Sequence, residues 1–130
     1  MLKMSVAAAC LVAAIVIPAT AAQQAPQVVR KVLLQQDVPG NQQMSLVEVQ
    51  IPAGGREGKH QHPGSLVVYV LEGNLTLDYE GKPTATYRPG DSVFIEANKT
   101  HEGINNGMTG IKAIATFVTE KGKPLTVQVP

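Results

Sequence analysis

From Val28 to the C-terminus no stretch keeps its apolar residues at helical spacing. Short β-branched runs alternate instead with Gly, Pro and Asn punctuation, the pattern of strands and tight turns. The runs are Val28 to Leu34, Met44 to Ile51, Leu66 to Glu72, Leu75 to Tyr79, Thr84 to Tyr87, Ser92 to Ile95, Gly110 to Val118 and Leu125 to Val129. Between them stand breakers such as Pro39-Gly40-Asn41, Gly73-Asn74 and Pro89-Gly90-Asp91. So many closely spaced strands predict an all-β sandwich or barrel. No internal repeat or linker divides it.

The first 22 residues read differently. Lys3 gives a positive start, Ala7 to Ile17 is almost wholly apolar, Pro18 breaks the run, and Ala19-Thr20-Ala21-Ala22 offers small residues for cleavage. That is the layout of a secretory signal. A membrane anchor fits less well, because a spanning helix needs about 20 apolar residues. Residues 1–22 are therefore expected to be a signal peptide and residues 23–130 one domain, located in the periplasm or secreted, with no stable membrane insertion once the signal is gone. The single cysteine, Cys10, lies inside the apolar run, so the mature chain has no disulfide to draw on. Its fold rests on its core.

With Lys3 removed, the eleven Lys and Arg become ten, against ten Asp and Glu. No basic stripe appears, and there is no Trp. Nucleic acid is excluded as an expected partner, since phosphate binding needs clustered cations and single strands need aromatic platforms. No Ser lies in a Gly-x-Ser-x-Gly setting and no Cys survives, so nothing suggests a nucleophilic enzyme. In Leu66 to Leu71 both faces of the strand are apolar. One face would line the interior, and the other must meet a second sheet, the N-terminal arm or another subunit.

All three histidines are candidate metal ligands. His60 and His62 flank Gln61, so on a strand both imidazoles point to one side. His101, arriving from a neighbouring strand, would complete a three-nitrogen face that leaves positions open for water or substrate. Imidazole donors suit several divalent ions, and Fe, Zn, Mn, Ni and Cu are not distinguished.

The spacing around these histidines is informative. Gly54, five residues, His60, one residue, His62, three residues, Leu66, six residues, Gly73 resembles the first motif of the cupin superfamily. Gly90, five residues, Glu96, one residue, Asn98, two residues, His101, three residues, Asn105 resembles the second. His62-Pro63-Gly64 followed by Val68-Tyr69-Val70-Leu71-Glu72-Gly73 is also similar to that family, and to its small exported single-domain members in particular. The resemblance implies a double-stranded β-helix, a jelly-roll-like barrel of two antiparallel sheets, and a homodimer. It implies metal ligation by His60, His62 and His101 and a small-molecule ligand in the barrel mouth. It does not choose a reaction.

Three positions depart from the motifs. Leu66 stands where the family has a ligating glutamate, and Glu96 and Asn98 stand where it usually has Pro and Gly. A divalent ion on three neutral imidazoles keeps its full charge and should favour an anionic or chelating oxygen ligand. Glu96 is the candidate replacement carboxylate, as fourth ligand or close behind the ligands, with Glu48 second. Asn105 is expected to face inward and orient an imidazole. A metal-dependent dioxygenase of a small organic substrate heads the list of functions. The alternatives are a non-catalytic binding module for a sugar-like molecule and a metal-dependent isomerase or lyase.

Overall fold

The computed structural model describes residues 26–130; the expected signal segment, residues 1–22, lies outside the described residues. Ten strands follow in order: β1 (Val29–Val38), β2 (Gln42–Ile51), β3 (His60–Gln61), β4 (Ser65–Glu72), β5 (Leu75–Tyr79), β6 (Ala85–Tyr87), β7 (Ser92–Ile95), β8 (His101–Ile104), β9 (Ile111–Glu120) and β10 (Val127–Gln128). They form two antiparallel five-stranded sheets, ordered β1-β2-β9-β4-β7 and β10-β3-β8-β5-β6. This is the expected all-β, jelly-roll-like architecture. Each of the eight apolar runs overlaps a strand. The two strands absent from those runs, β3 and β8, are short, and each begins with a histidine, His60 and His101.

Alternation decides which side chains meet between the sheets. On β9, Ile111, Ala113, Ala115 and Phe117 turn inward, and on β4 Leu66, Val68 and Val70 do the same. Val47 and Ile51 of β2, Leu75, Leu77 and Tyr79 of β5, and Ile95 of β7 complete one buried cluster. Apolar area removed from water stabilises such a core by roughly 25 cal/mol per Å2. The opposite face of β4 behaves otherwise. Val67, Tyr69 and Leu71 are exposed, as is Phe94, the cross-strand partner of Val67 on β7. No other described part of the chain covers this face, so core packing within one chain does not account for its apolar character.

Two backbone positions hold the motif segments in place. A Cβ on Gly64 would run into the Val118 carbonyl and approach the Thr119 Cα to 2.8 Å, so only glycine lets the His62-Pro63-Gly64 turn lie flat on the end of β9. Asn98, standing in the family's glycine slot, has a φ of 62°. Asparagine is among the few residues that adopt this left-handed conformation readily, so the turn keeps its shape despite the substitution. The Asn98 N–H donates to the His62 carbonyl at 2.8 Å and so ties the two motif segments together.

Candidate metal centre

The pairing of β3 with β8 sets His60 directly opposite His101. His62, two residues after His60, falls on the same side. All three rings are buried, at 1, 4 and 3 % exposure for His60, His62 and His101. Their ring centroids are 4.3–4.8 Å apart, and one nitrogen from each lies within 4.8 Å of the others.

The hydrogen bonds determine which nitrogens are free. His60 Nδ1 lies 2.8 Å from the Gly58 carbonyl, His62 Nδ1 2.7 Å from the Leu125 carbonyl, and His101 Nδ1 2.9 Å from the Lys99 carbonyl. A carbonyl oxygen only accepts, so this network assigns the proton to Nδ1 in every ring. Each Nε2 then carries a bare lone pair. His62 Nε2 and His101 Nε2 face each other at 3.1 Å, an arrangement that is repulsive unless a cation or a proton lies between them. Metal–nitrogen bonds of about 2.0–2.1 Å at about 90° to 109° would put two ligand nitrogens about 2.8–3.4 Å apart. The donor set therefore fits a divalent ion, with backbone carbonyls holding each ring in its ligating tautomer.

Electrostatics act in the same direction. Burial holds all three imidazoles below the ordinary histidine range, His62 down to about 3, against the opposing pull of the carbonyls that accept from Nδ1. The Arg30 charge also works against protonation of each ring. The rings are thus neutral donors at pH 7.

A cavity of about 50 Å3 opens beside the histidines. Leu66, Val68, Phe117 and other apolar side chains wall it, and its polar lining is His60, His62, His101, Glu57 and Arg30. At about 10–15 Å3 per water it holds about three to five water-sized groups. Leu66 thus occupies the inward position that its place in the motif predicts, and offers no ligand there.

The other candidates are placed elsewhere. Glu96 is exposed and does not line the cavity; its backbone N–H donates to Tyr79 Oη at 3.1 Å. As the first residue after β7, it follows the inward Ile95 and turns out. Glu48 alternates with the inward Val47 and Val49 on β2, and its carboxylate accepts from Gln50 at 2.6 Å. Glu102, next to His101, points to the other face of β8 and is held by Arg56 through two hydrogen bonds of 3.0 and 2.8 Å. Asn105 is buried, at 2 % exposure, but contacts no imidazole. Its Nδ2 donates to the carbonyls of Ile51 (2.9 Å) and Thr109 (2.8 Å), and its Oδ1 accepts from the Gly107 N–H (2.9 Å). It secures the loop before β9 and does not orient a ligand.

Sequence reasoning missed Glu57 and Arg30. Glu57 sits three residues before His60, inside the first motif, where nothing distinguishes it from a surface residue. Its Oε1 accepts from Arg30 Nη2 at 2.7 Å and its Oε2 from the Gly103 N–H at 3.1 Å. Gly103 lies two residues past His101, on the same inward face, and a Cβ there would collide with the Glu57 carboxylate. Burial pushes the Glu57 carboxyl up, while Arg30, His101 and the Gly103 N–H pull it back.

With this geometry in place, the comparisons with known proteins are decisive. The family model described as "Cupin domain" matches residues 47–117, more than half of the chain. The chain belongs to the cupin family. No curated protein matches it. Among solved structures it is similar to the DMSP lyase DddQ from Ruegeria pomeroyi DSS-3, with 22 % identity, a TM-score of 0.68, and coverage of 78 % of this chain and 51 % of that one. It therefore spans about half the length of that lyase. It is also similar to a cupin-like protein from Thermotoga maritima MSB8, with 24 % identity, a TM-score of 0.62, and coverage of 78 % and 75 %. The polyketide cyclase RemF from Streptomyces resistomycificus gives 20 % identity, a TM-score of 0.64, and coverage of 79 % and 71 %. At these identities the likeness is one of cupin fold, and the site must supply the argument for function.

Proposed function

We propose that this cupin is an exported protein that binds one divalent metal ion through His60, His62 and His101 and acts on a small organic substrate beside it, with dioxygenation as the reaction class. The observation that carries the reading is the set of three buried, neutral imidazoles whose Nδ1 atoms are all engaged by backbone carbonyls. When bound, the ion supplies a Lewis-acidic centre with positions left for substrate or oxygen. The chain's own part is to keep the rings in one tautomer and to exclude water with Leu66, Val68 and Phe117.

A non-catalytic binding module is the second reading, and Leu66 favours it. That side chain removes the carboxylate that would offset part of the metal's charge and leaves an apolar wall suited to simple capture. Metal content of the mature chain, measured by mass spectrometry after purification without an affinity tag, tests the metal reading. Near one equivalent of a single metal is expected, absent from a His60→Ala/His62→Ala variant; no metal after reconstitution would overturn it. Substrate-dependent oxygen uptake by the iron-loaded protein separates oxygenase from binding module, isomerase or lyase.

The exposed apolar face of Val67, Tyr69, Leu71 and Phe94 supports a homodimer as the working form. Light scattering at high concentration should give twice the monomer mass, and a Tyr69→Glu/Phe94→Glu variant should give the monomer mass. A monomer in the unsubstituted protein sinks this part alone.

A further inference from the structure

The pair formed by Arg30 and Glu57 stands apart from the metal ligands and faces the same cavity. Arg30 lies on β1 opposite Val49 of β2, and residues directly opposed across an antiparallel pair share a face. Val49 lines the cavity, and Arg30 is carried to its mouth beside it. The Arg30 side chain is 32 % exposed, at the boundary between solvent and interior, and the Glu57 side chain is 12 % exposed. Glu57 is held from two sides, by Arg30 and by the Gly103 N–H, in the space that the missing Gly103 side chain leaves. Among the described residues, Arg30 uses one of its five N–H donors in a hydrogen bond, the one to Glu57.

From this geometry we infer that Arg30, positioned by Glu57, is a carboxylate-recognition residue, and that the cavity takes a small carboxylic acid as its anion. This rests on the metal reading for the ligand's second point of attachment. A divalent ion on neutral imidazoles and the Arg30 cation would face one small apolar cavity with a single carboxylate, Glu57, between them. The balance is positive, and an anionic ligand relieves it. Guanidinium forks match carboxylates, which adds geometric selection to the charge. The size of the cavity limits the acid to a few non-hydrogen atoms, which disfavours a sugar.

The test uses propionate and its neutral isostere propionamide as probes. Binding is followed by ligand-observed NMR titration on the full mature chain, with and without metal, and metal content is measured in every sample. The proteins are the unsubstituted chain, Arg30→Gln and Arg30→Lys. Propionate should bind more tightly than propionamide, and Arg30→Gln should weaken propionate about tenfold or more, the usual loss for a charge-assisted hydrogen bond. Arg30→Lys should recover part of that loss, and propionamide should be indifferent to both substitutions. Circular dichroism and metal content should be unchanged in the variants.

Equal binding of acid and amide, or propionate binding unaffected by Arg30→Gln, would overturn the inference. If no sample holds metal, the metal reading fails by itself. The Arg30-dependent preference for acid over amide is then read in the metal-free protein, where its presence sustains carboxylate recognition and its absence ends it. If Arg30→Gln is misfolded, Arg30→Lys alone decides, by weakening propionate without weakening propionamide.

Discussion

Metal-free protein is expected to lose about 3 kcal/mol of stability as the pH falls from 6.5 to 4, at 1.36 kcal/mol per unit for one histidine that the folded state keeps neutral. The histidine is His62, which burial holds down to about 3. In the unfolded chain it takes up a proton below about pH 6.5. Between those values the unfolded state binds more protons than the folded state, so stability rises with pH and falls with acid. His60 and His101 are lowered for the same reason and act in the same direction. Glu57, whose carboxyl burial pushes up, acts in the opposite sense from the ordinary carboxylate range upward and offsets part of the loss. Urea unfolding at pH 7, 5.5 and 4 with chelator present measures the effect. A His62→Phe variant should show a flatter dependence, and a stability independent of pH across this range would contradict the burial argument. Bound metal should steepen the acid loss, because protons and metal compete for Nε2.

Asn105→Ala is expected to destabilise the protein by about 3 kcal/mol, the scale of leaving buried polar groups without partners. The side chain satisfies two carbonyls, of Ile51 and Thr109, and the Gly107 N–H. Its backbone adds two more links: the Gly54 N–H donates to the Asn105 carbonyl at 3.1 Å, and its own N–H donates to the Gly55 carbonyl at 2.9 Å. Asn105 thereby joins the turn that begins the first motif to the loop that ends the second. The substitution should lower the urea midpoint with the slope unchanged, while the histidines keep their places. Loss of metal without loss of stability would instead assign Asn105 to the site. Asn105→Asp is the sterner test, since a carboxylate cannot donate to either carbonyl.

The legibility of the molecule varied with the range of the interaction. Strands such as β5 and β7 could be read residue for residue, because apolar alternation and the breakers at each end are local signals. The strand β3 could not, since it has only two residues and its pairing depends on β8 and β10. The same division runs through the site. His60 and His62 follow from the period of a strand, and His101 from motif spacing. Glu96 illustrates the limit: closeness in sequence to His101 suggested closeness in space, but the residue after the inward Ile95 faces outward.

The sequence by itself determined the all-β class, the family, the three histidines and the apolar residue in the fourth ligand's slot. These rest on residue type and spacing along one chain, which folding does not alter. Only the tertiary structure decided the tautomer of each ring, the role of Asn105 as a loop tie, and the presence of Arg30 and Glu57 at the cavity. Each depends on groups brought together from distant segments. The Glu57 carboxylate meets a guanidinium from 27 residues earlier and an amide from 46 residues later. The carbonyl that orients His62 comes from Leu125, 63 residues on. No local pattern records such meetings, because the pairing of the sheets creates them.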